Sequence, residues 1–126
     1  MSAPVRYIRL YADEKGESQF EEIEVALTSQ DFAPPALPFD LSAPVDTERV
    51  IFGSFPVGWT GERHVTPRRQ FIFQFTGELE VEVGGGRRHT FGPGSIALVE
   101  DTTGAGHLTR VVGDVPVTVA FVQLPE

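Results

Sequence analysis

Apolar residues recur at every second position through most of this chain, and no other feature limits its fold as strongly. In GELEVEVG, Leu79, Val81 and Val83 fall on one face of an extended strand and Glu78, Glu80 and Glu82 on the other, so that strand has a dry face and a wet one. In QFIFQFT, Phe71, Phe73 and Phe75 share one face while Gln70, Ile72, Gln74 and Thr76 share the other. Both faces there need partly apolar surroundings, such as a covering segment or a second subunit. No stretch of about eleven residues spaces its apolar side chains at three and four, which is the helical signature. Turn signals separate the strands: Gly77, Gly84 to Gly86, the GPG at 92 to 94, the TTGAG at 102 to 106 and Gly113. Short strands punctuated in this way predict an all-β sandwich or barrel.

The 126 residues suffice for one core and one domain, residues 1–126. Within it, VRYIRLYA (5 to 12) and FEEIEVAL (20 to 27) read as an N-terminal hairpin spanning 1–30, turned at Lys15-Gly16. Residues 31–47 carry Pro34, Pro35, Pro38 and Pro44, which cannot donate ladder hydrogen bonds, so they read as an extended connection. Phe32, Leu37, Phe39 and Leu41 suggest that this connection is pinned by apolar contacts. Residues 48–126 then form the barrel core.

Composition narrows the function classes. A net charge of -8 opposes binding to nucleic acid, which relies on neutralising phosphates with Lys and Arg. No apolar run approaches the roughly 20 residues of a membrane span, so neither nucleic acid nor membrane is an expected partner. The absence of cysteine removes disulfides, thiolate nucleophiles and sulfur ligands, and with no secretory signal visible at the start a cytoplasmic location is expected. GAG and GGG lack the strand-to-helix setting of a phosphate-cradling loop, and neither Ser54 nor Ser95 lies in a nucleophile elbow.

The stretch HVTPRRQ, residues 64 to 70, carries the chemical interest. If the chain is extended here, His64, Thr66 and Gln70 fall on one side with Ile72 and Gln74, subject to the register holding through Pro67. Should that side face the interior, it would line a pocket with mixed apolar and neutral polar groups, suited to a small organic ligand. Gly58, five residues, His64, Val65, Thr66, three residues, Gln70, six residues and Gly77 reproduce the spacing of the first cupin motif, GX5HXHX3EX6G. The second cupin motif is matched more loosely by GSIALVEDTTGAGH, which begins at Gly94 and ends at His107. The chain thus resembles small single-domain bacterial cupins of the RmlC-like jelly-roll family, with HxxPRRQ and EDTTGxGH motifs.

That resemblance implies a cupin-type jelly-roll β-barrel, also called a double-stranded β-helix, and barrels paired as a homodimer. It also implies a metal position. Cupin sites hold Fe, Mn, Ni or Zn with three histidines and a glutamate. Here Thr66 stands for the second histidine and Gln70 for the glutamate, leaving His64, Gln70 and His107 as a ligand set without an anion, which binds a dication weakly. The cofactor is therefore such a metal or none.

Without metal, His64 or His107 can move a proton near neutral pH. Gln70 can orient a carbonyl, Arg68 or Arg69 can hold an anionic group, and Trp59 forms either an aromatic wall over a ligand or a packed core edge. Glu100 and Asp101 are strand neighbours, so at most one faces the cavity, and both read first as residues that order the DTTGAG turn through backbone amides. His89 reads as a surface residue. Two functions follow: an enzyme acting on a small organic molecule through a weak metal or histidine acid/base chemistry, or a non-catalytic ligand-binding or sensing barrel that has lost full metal ligation.

Overall fold

The computed structural model describes residues 2–126. Eleven strands run in the order β1 (Arg6–Ala12), β2 (Ser18–Glu24), β3 (Thr28–Gln30), β4 (Phe39–Leu41), β5 (Arg49–Phe55), β6 (Gln70–Thr76), β7 (Glu78–Glu82), β8 (Arg88–Phe91), β9 (Ile96–Val99), β10 (Leu108–Val112) and β11 (Val117–Gln123). They form a six-stranded sheet, β2-β1-β9-β6-β11-β5, and a three-stranded sheet, β10-β7-β8, with β3 and β4 as a separate ribbon. Among the described residues, no helix is long and apolar enough to cross a membrane.

Register places the interior of the large sheet in rows. Ile8, Ala97, Ile72, Phe121 and Ile51 lie side by side across five strands, and the next row holds Leu10, Val99, Gln70 and Gln123. Because side chains alternate along each strand, both rows share one face. The small sheet presents Phe91, Leu79 and Val111 in one row and His89, Val81 and Thr109 in another. Buried residues of both sheets, including Leu10, Val99, Val119, Leu79, Val81 and Val111, form one cluster. The core therefore lies between two facing sheets, as the alternation of GELEVEVG requires. On the wet face of that strand, Glu82 accepts from Arg88 Nε at 3.0 Å and from Arg110 Nη2 at 2.8 Å.

Gly77 shows why a motif glycine stands where the chain leaves one sheet for the other. Its φ is +72°, and a Cβ there would lie 2.8 Å from the Pro116 carbonyl oxygen. A side chain is excluded by conformation and by space together.

Several local expectations change. β1 does more than form a hairpin with β2, since it also pairs in parallel with β9 and so joins the barrel. Residues 28–30 pair with 39–41, giving the proline-rich segment a short ladder of its own. Of its apolar side chains only Leu41 is half-buried; Phe32 is 69% and Leu37 85% exposed, and Phe32 packs only edge-on against the exposed Phe39 within the same ribbon. Phe71 and Phe73 are half-buried, with Phe71 edge-on to Tyr7 at 5.4 Å, whereas Phe75 is exposed. The outer edge of the large sheet is β5, where Val50, Ile51 and Phe52 are exposed.

His89 is half-buried on the inner face, between Phe20 and Phe91, and burial lowers its pKa. The neighbouring basic pair made it look like a surface residue. Strand parity places it inside, opposite Val81.

Candidate functional site

One end of the space between the sheets is open as a cavity of about 390 Å³. Its walls are mostly hydrocarbon: Leu10, Ile72, Leu79, Val81, Val99 and Ala97, with Phe55, Trp59, Phe91 and Phe121 as the aromatic part. Trp59 packs against Phe55 with ring centroids 4.7 Å apart. The loop that carries Trp59 is strapped to β10, since Trp59 O accepts from Val111 N and Gly61 N donates to Thr109 O, both at 2.8 Å. At the closed end Gln74 is buried and donates through Nε2 to the carbonyls of Gly77 and Phe91, each at 2.8 Å.

The polar part lies where residues 62 to 66 cross the segment 101 to 107. His64 and His107 form an isolated antiparallel bridge, each amide donating to the other's carbonyl at 2.9 Å. Thr66 N donates to Asp101 O at 3.0 Å. This pairing brings the two imidazoles to a centroid separation of 4.9 Å. His64, Thr66, Gln70, His107 and Trp59 all line the cavity. Thr66 and Gln70 are both buried and line the cavity although the chain bends at Pro67 and Arg68. Pro67 lines it too, so they come together without an unbroken strand alternation.

Arg68 is not among the lining residues. Its Nε donates to Leu124 O at 2.9 Å and its guanidinium pairs with Glu48, which leaves the cavity without it. Arg69 likewise points outward, to Glu100. Glu100 accepts from Arg9 Nε and Arg69 Nε, each at 2.6 Å. Burial pushes the Glu100 carboxyl up, but the bonds from Arg9 and Arg69 outweigh it and hold the pKa below its usual value.

Asp101 has a role that the sequence reading missed. It is 0% exposed, and its carboxylate receives three side-chain donors: Ser18 Oγ at 2.6 Å, Thr66 Oγ1 at 2.8 Å and His107 Nδ1 at 2.6 Å. It therefore ties three distant segments together through side chains, where a turn-ordering role through backbone amides was expected. Burial alone would raise its pKa. The bonds from His107 and Ser18, the attraction to His107 and the bond from Thr66 overcome that and hold it below the ordinary range. An ionised carboxylate only accepts, so Ser18, Thr66 and His107 must all donate. His107 accordingly carries its proton on Nδ1, and in the neutral ring Nε2 keeps its lone pair. His64 is fixed in the same sense, with Nδ1 donating to Glu62 O at 2.7 Å. The available signal was strand alternation: Glu100 facing outward obliges Asp101 to face inward.

No family model matches the chain, and no curated protein matches it in sequence. Among solved structures, it is similar to the Schizosaccharomyces pombe Cnp3 cupin domain, with a TM-score of 0.51 and 12% identity over 100% of this chain and 86% of that one. The fold is that of a cupin. At 12% identity the likeness concerns the fold alone, and the chemistry must come from the residues present.

The donor set decides whether a cupin metal fits here. Asp101 is fully engaged by its three donors, and Gln70 Oε1 accepts from Gln123 Nε2 at 3.0 Å. Thr66 spends its hydroxyl proton on Asp101, and a neutral hydroxyl is a poor ligand. Two neutral imidazole nitrogens remain, with no carboxylate to offset a dication. Among the described residues no three His, Cys, Asp or Glu side chains cluster as a metal site. The residues of this cavity do not fit a resident Fe, Mn, Ni or Zn ion.

Proposed function

We propose that the barrel binds a small organic molecule in this cavity and that His107 acts on it as a general base through Nε2. The observation that carries the reading is the buried Asp101 carboxylate bonded to His107 Nδ1 beside a cavity with largely apolar walls. Asp101 is a positioning residue: it fixes the tautomer and stabilises the imidazolium formed when Nε2 takes a proton. Among the described residues the Gln70 amide group has no protein acceptor, which leaves it free to donate to a substrate carbonyl or the enolate derived from it.

The supported reaction is an isomerisation by proton transfer. For a β,γ-unsaturated carbonyl compound, Nε2 removes a proton from the α-carbon, the electron pair moves into a dienolate, and the imidazolium returns a proton to the γ-carbon as the double bond shifts into conjugation. Nothing is oxidised and no second reactant is consumed. His64, exposed and adjacent to His107, is the route by which that proton exchanges with water.

Solvent exchange tests this without the natural substrate. In deuterium oxide, the α-protons of the neutral ketone 2-decalone should exchange faster with the protein than with an equal concentration of imidazole. His107→Gln should lower the rate by about 100-fold or more, the usual weight of a positioned base. Thr109→Phe should abolish exchange by filling the cavity, with its melting temperature checked to exclude unfolding. Equal rates in wild type and His107→Gln would refute the assignment.

A further inference from the structure

Deepening that reading and resting on it, we infer that the ligand is an uncharged, mainly hydrocarbon compound with one hydrogen-bonding oxygen. Among the described residues the cavity wall contains no Arg, Lys, Asp or Glu side chain. The nearest cations that the sequence offered, Arg68 and Arg69, are turned outward and held by Glu48 and Glu100. An anion entering the cavity would lose its hydration with no Arg or Lys side chain to replace it. A cation fares no better, because the Asp101 carboxylate is shielded behind His107 and already satisfied by three donors.

The polar side chains of the wall, Ser95, Thr109 and Gln123 among them, include no carboxylate, Arg or Lys, and of these the proposed base His107 together with Gln70 suits one neutral oxygen function. The lone pair of His107 Nε2 accepts from a hydroxyl, and the Gln70 amide donates to the same oxygen or to a carbonyl. The same cavity is lined by Phe55, Trp59 and Phe121, which offer ring faces and edges to a hydrocarbon body. A cavity of about 390 Å³ is large enough for a rigid cage or a fused bicyclic skeleton.

Three probes with one hydrocarbon cage separate charge from shape: 1-adamantanol, 1-adamantanecarboxylate and 1-adamantanammonium. Trp59 is the chain's sole tryptophan and lines the cavity, so its emission reports binding there. The alcohol should change that emission saturably, and the carboxylate and ammonium should bind at least about tenfold more weakly, reflecting the cost of an unpaired charge. The alcohol response should vanish in Thr109→Phe. Carboxylate or ammonium binding as tight as the alcohol overturns the neutral-ligand inference while leaving the cavity as the binding site. No binding by any probe, or an alcohol response that survives Thr109→Phe, overturns this inference and the small-molecule reading together. Alcohol binding by a wild-type protein that does not accelerate deuterium exchange overturns the base assignment alone.

Discussion

Asp101→Asn should destabilise the protein by about 2–4 kcal/mol at neutral pH, the largest effect expected from any isosteric polar change in this chain. The carboxylate accepts from Ser18, Thr66 and His107 in a fully buried position. An asparagine oxygen is a weaker acceptor, and its amide group faces donors that cannot accept without reorienting. The effect has a defined pH dependence. The folded Asp101 pKa lies below its ordinary value of 3.8, so its contribution is fully present above that value. As the pH falls below it, through the lower pKa of the folded state, the contribution is lost. Urea unfolding of both proteins from neutral to strongly acid solution should show curves that converge only at the acid end. A constant gap at all pH values would mean that the carboxylate is not ionised in the folded protein.

Gly106→Ala should cost about 3 kcal/mol or more and release the strap that carries His64. Gly106 has a φ of +77°, and a Cβ there would overlap the His64 carbonyl oxygen and lie 2.9 Å from Val65 N. Those are backbone atoms with no side-chain rotation to relieve them. The bridge between His64 and His107, with its two hydrogen bonds, must open. Gly85 is the control, since its φ is also +77° and nothing lies within 4 Å of its Cβ position. Gly85→Ala should therefore show only the conformational penalty, about 1 kcal/mol. Thermal melts of the two variants, with amide exchange at His64 and His107, separate the causes. Equal destabilisation at both sites would show that the close approach to His64 is unimportant.

The barrel was legible because its information is local. Alternation in GELEVEVG fixes which residues are dry, and glycines such as Gly77 mark places where no side chain fits. Which strands pair is not local: nothing in VRYIRLYA announces a parallel neighbour at β9. His64, Thr66 and Gln70 could be placed together by one alternation and the first motif's spacing, and His107 was added to them only by the looser second motif. Asp101 could not be recognised in its role because its partners Ser18 and Thr66 lie 83 and 35 residues away in sequence. Arg68 was misleading for the opposite reason. It is two residues from Gln70 and separated from it only by Arg69, yet its side chain turns to the backbone carbonyl of Leu124. The apolar residues around Phe32 and Leu37 match a buried pattern, but that pattern does not identify a surface to bury against.

Nitrogen NMR of the three labelled histidines tests the central claim most directly, because it observes the His107 tautomer and its response to a bound molecule together. The account predicts that neutral His107 carries its proton on Nδ1 and a bare lone pair on Nε2, and that the Nε2 resonance moves when 1-adamantanol saturates the Trp59 signal. A His107 protonated on Nε2 with a bare Nδ1, or an Nε2 resonance unmoved while Trp59 responds, would contradict it.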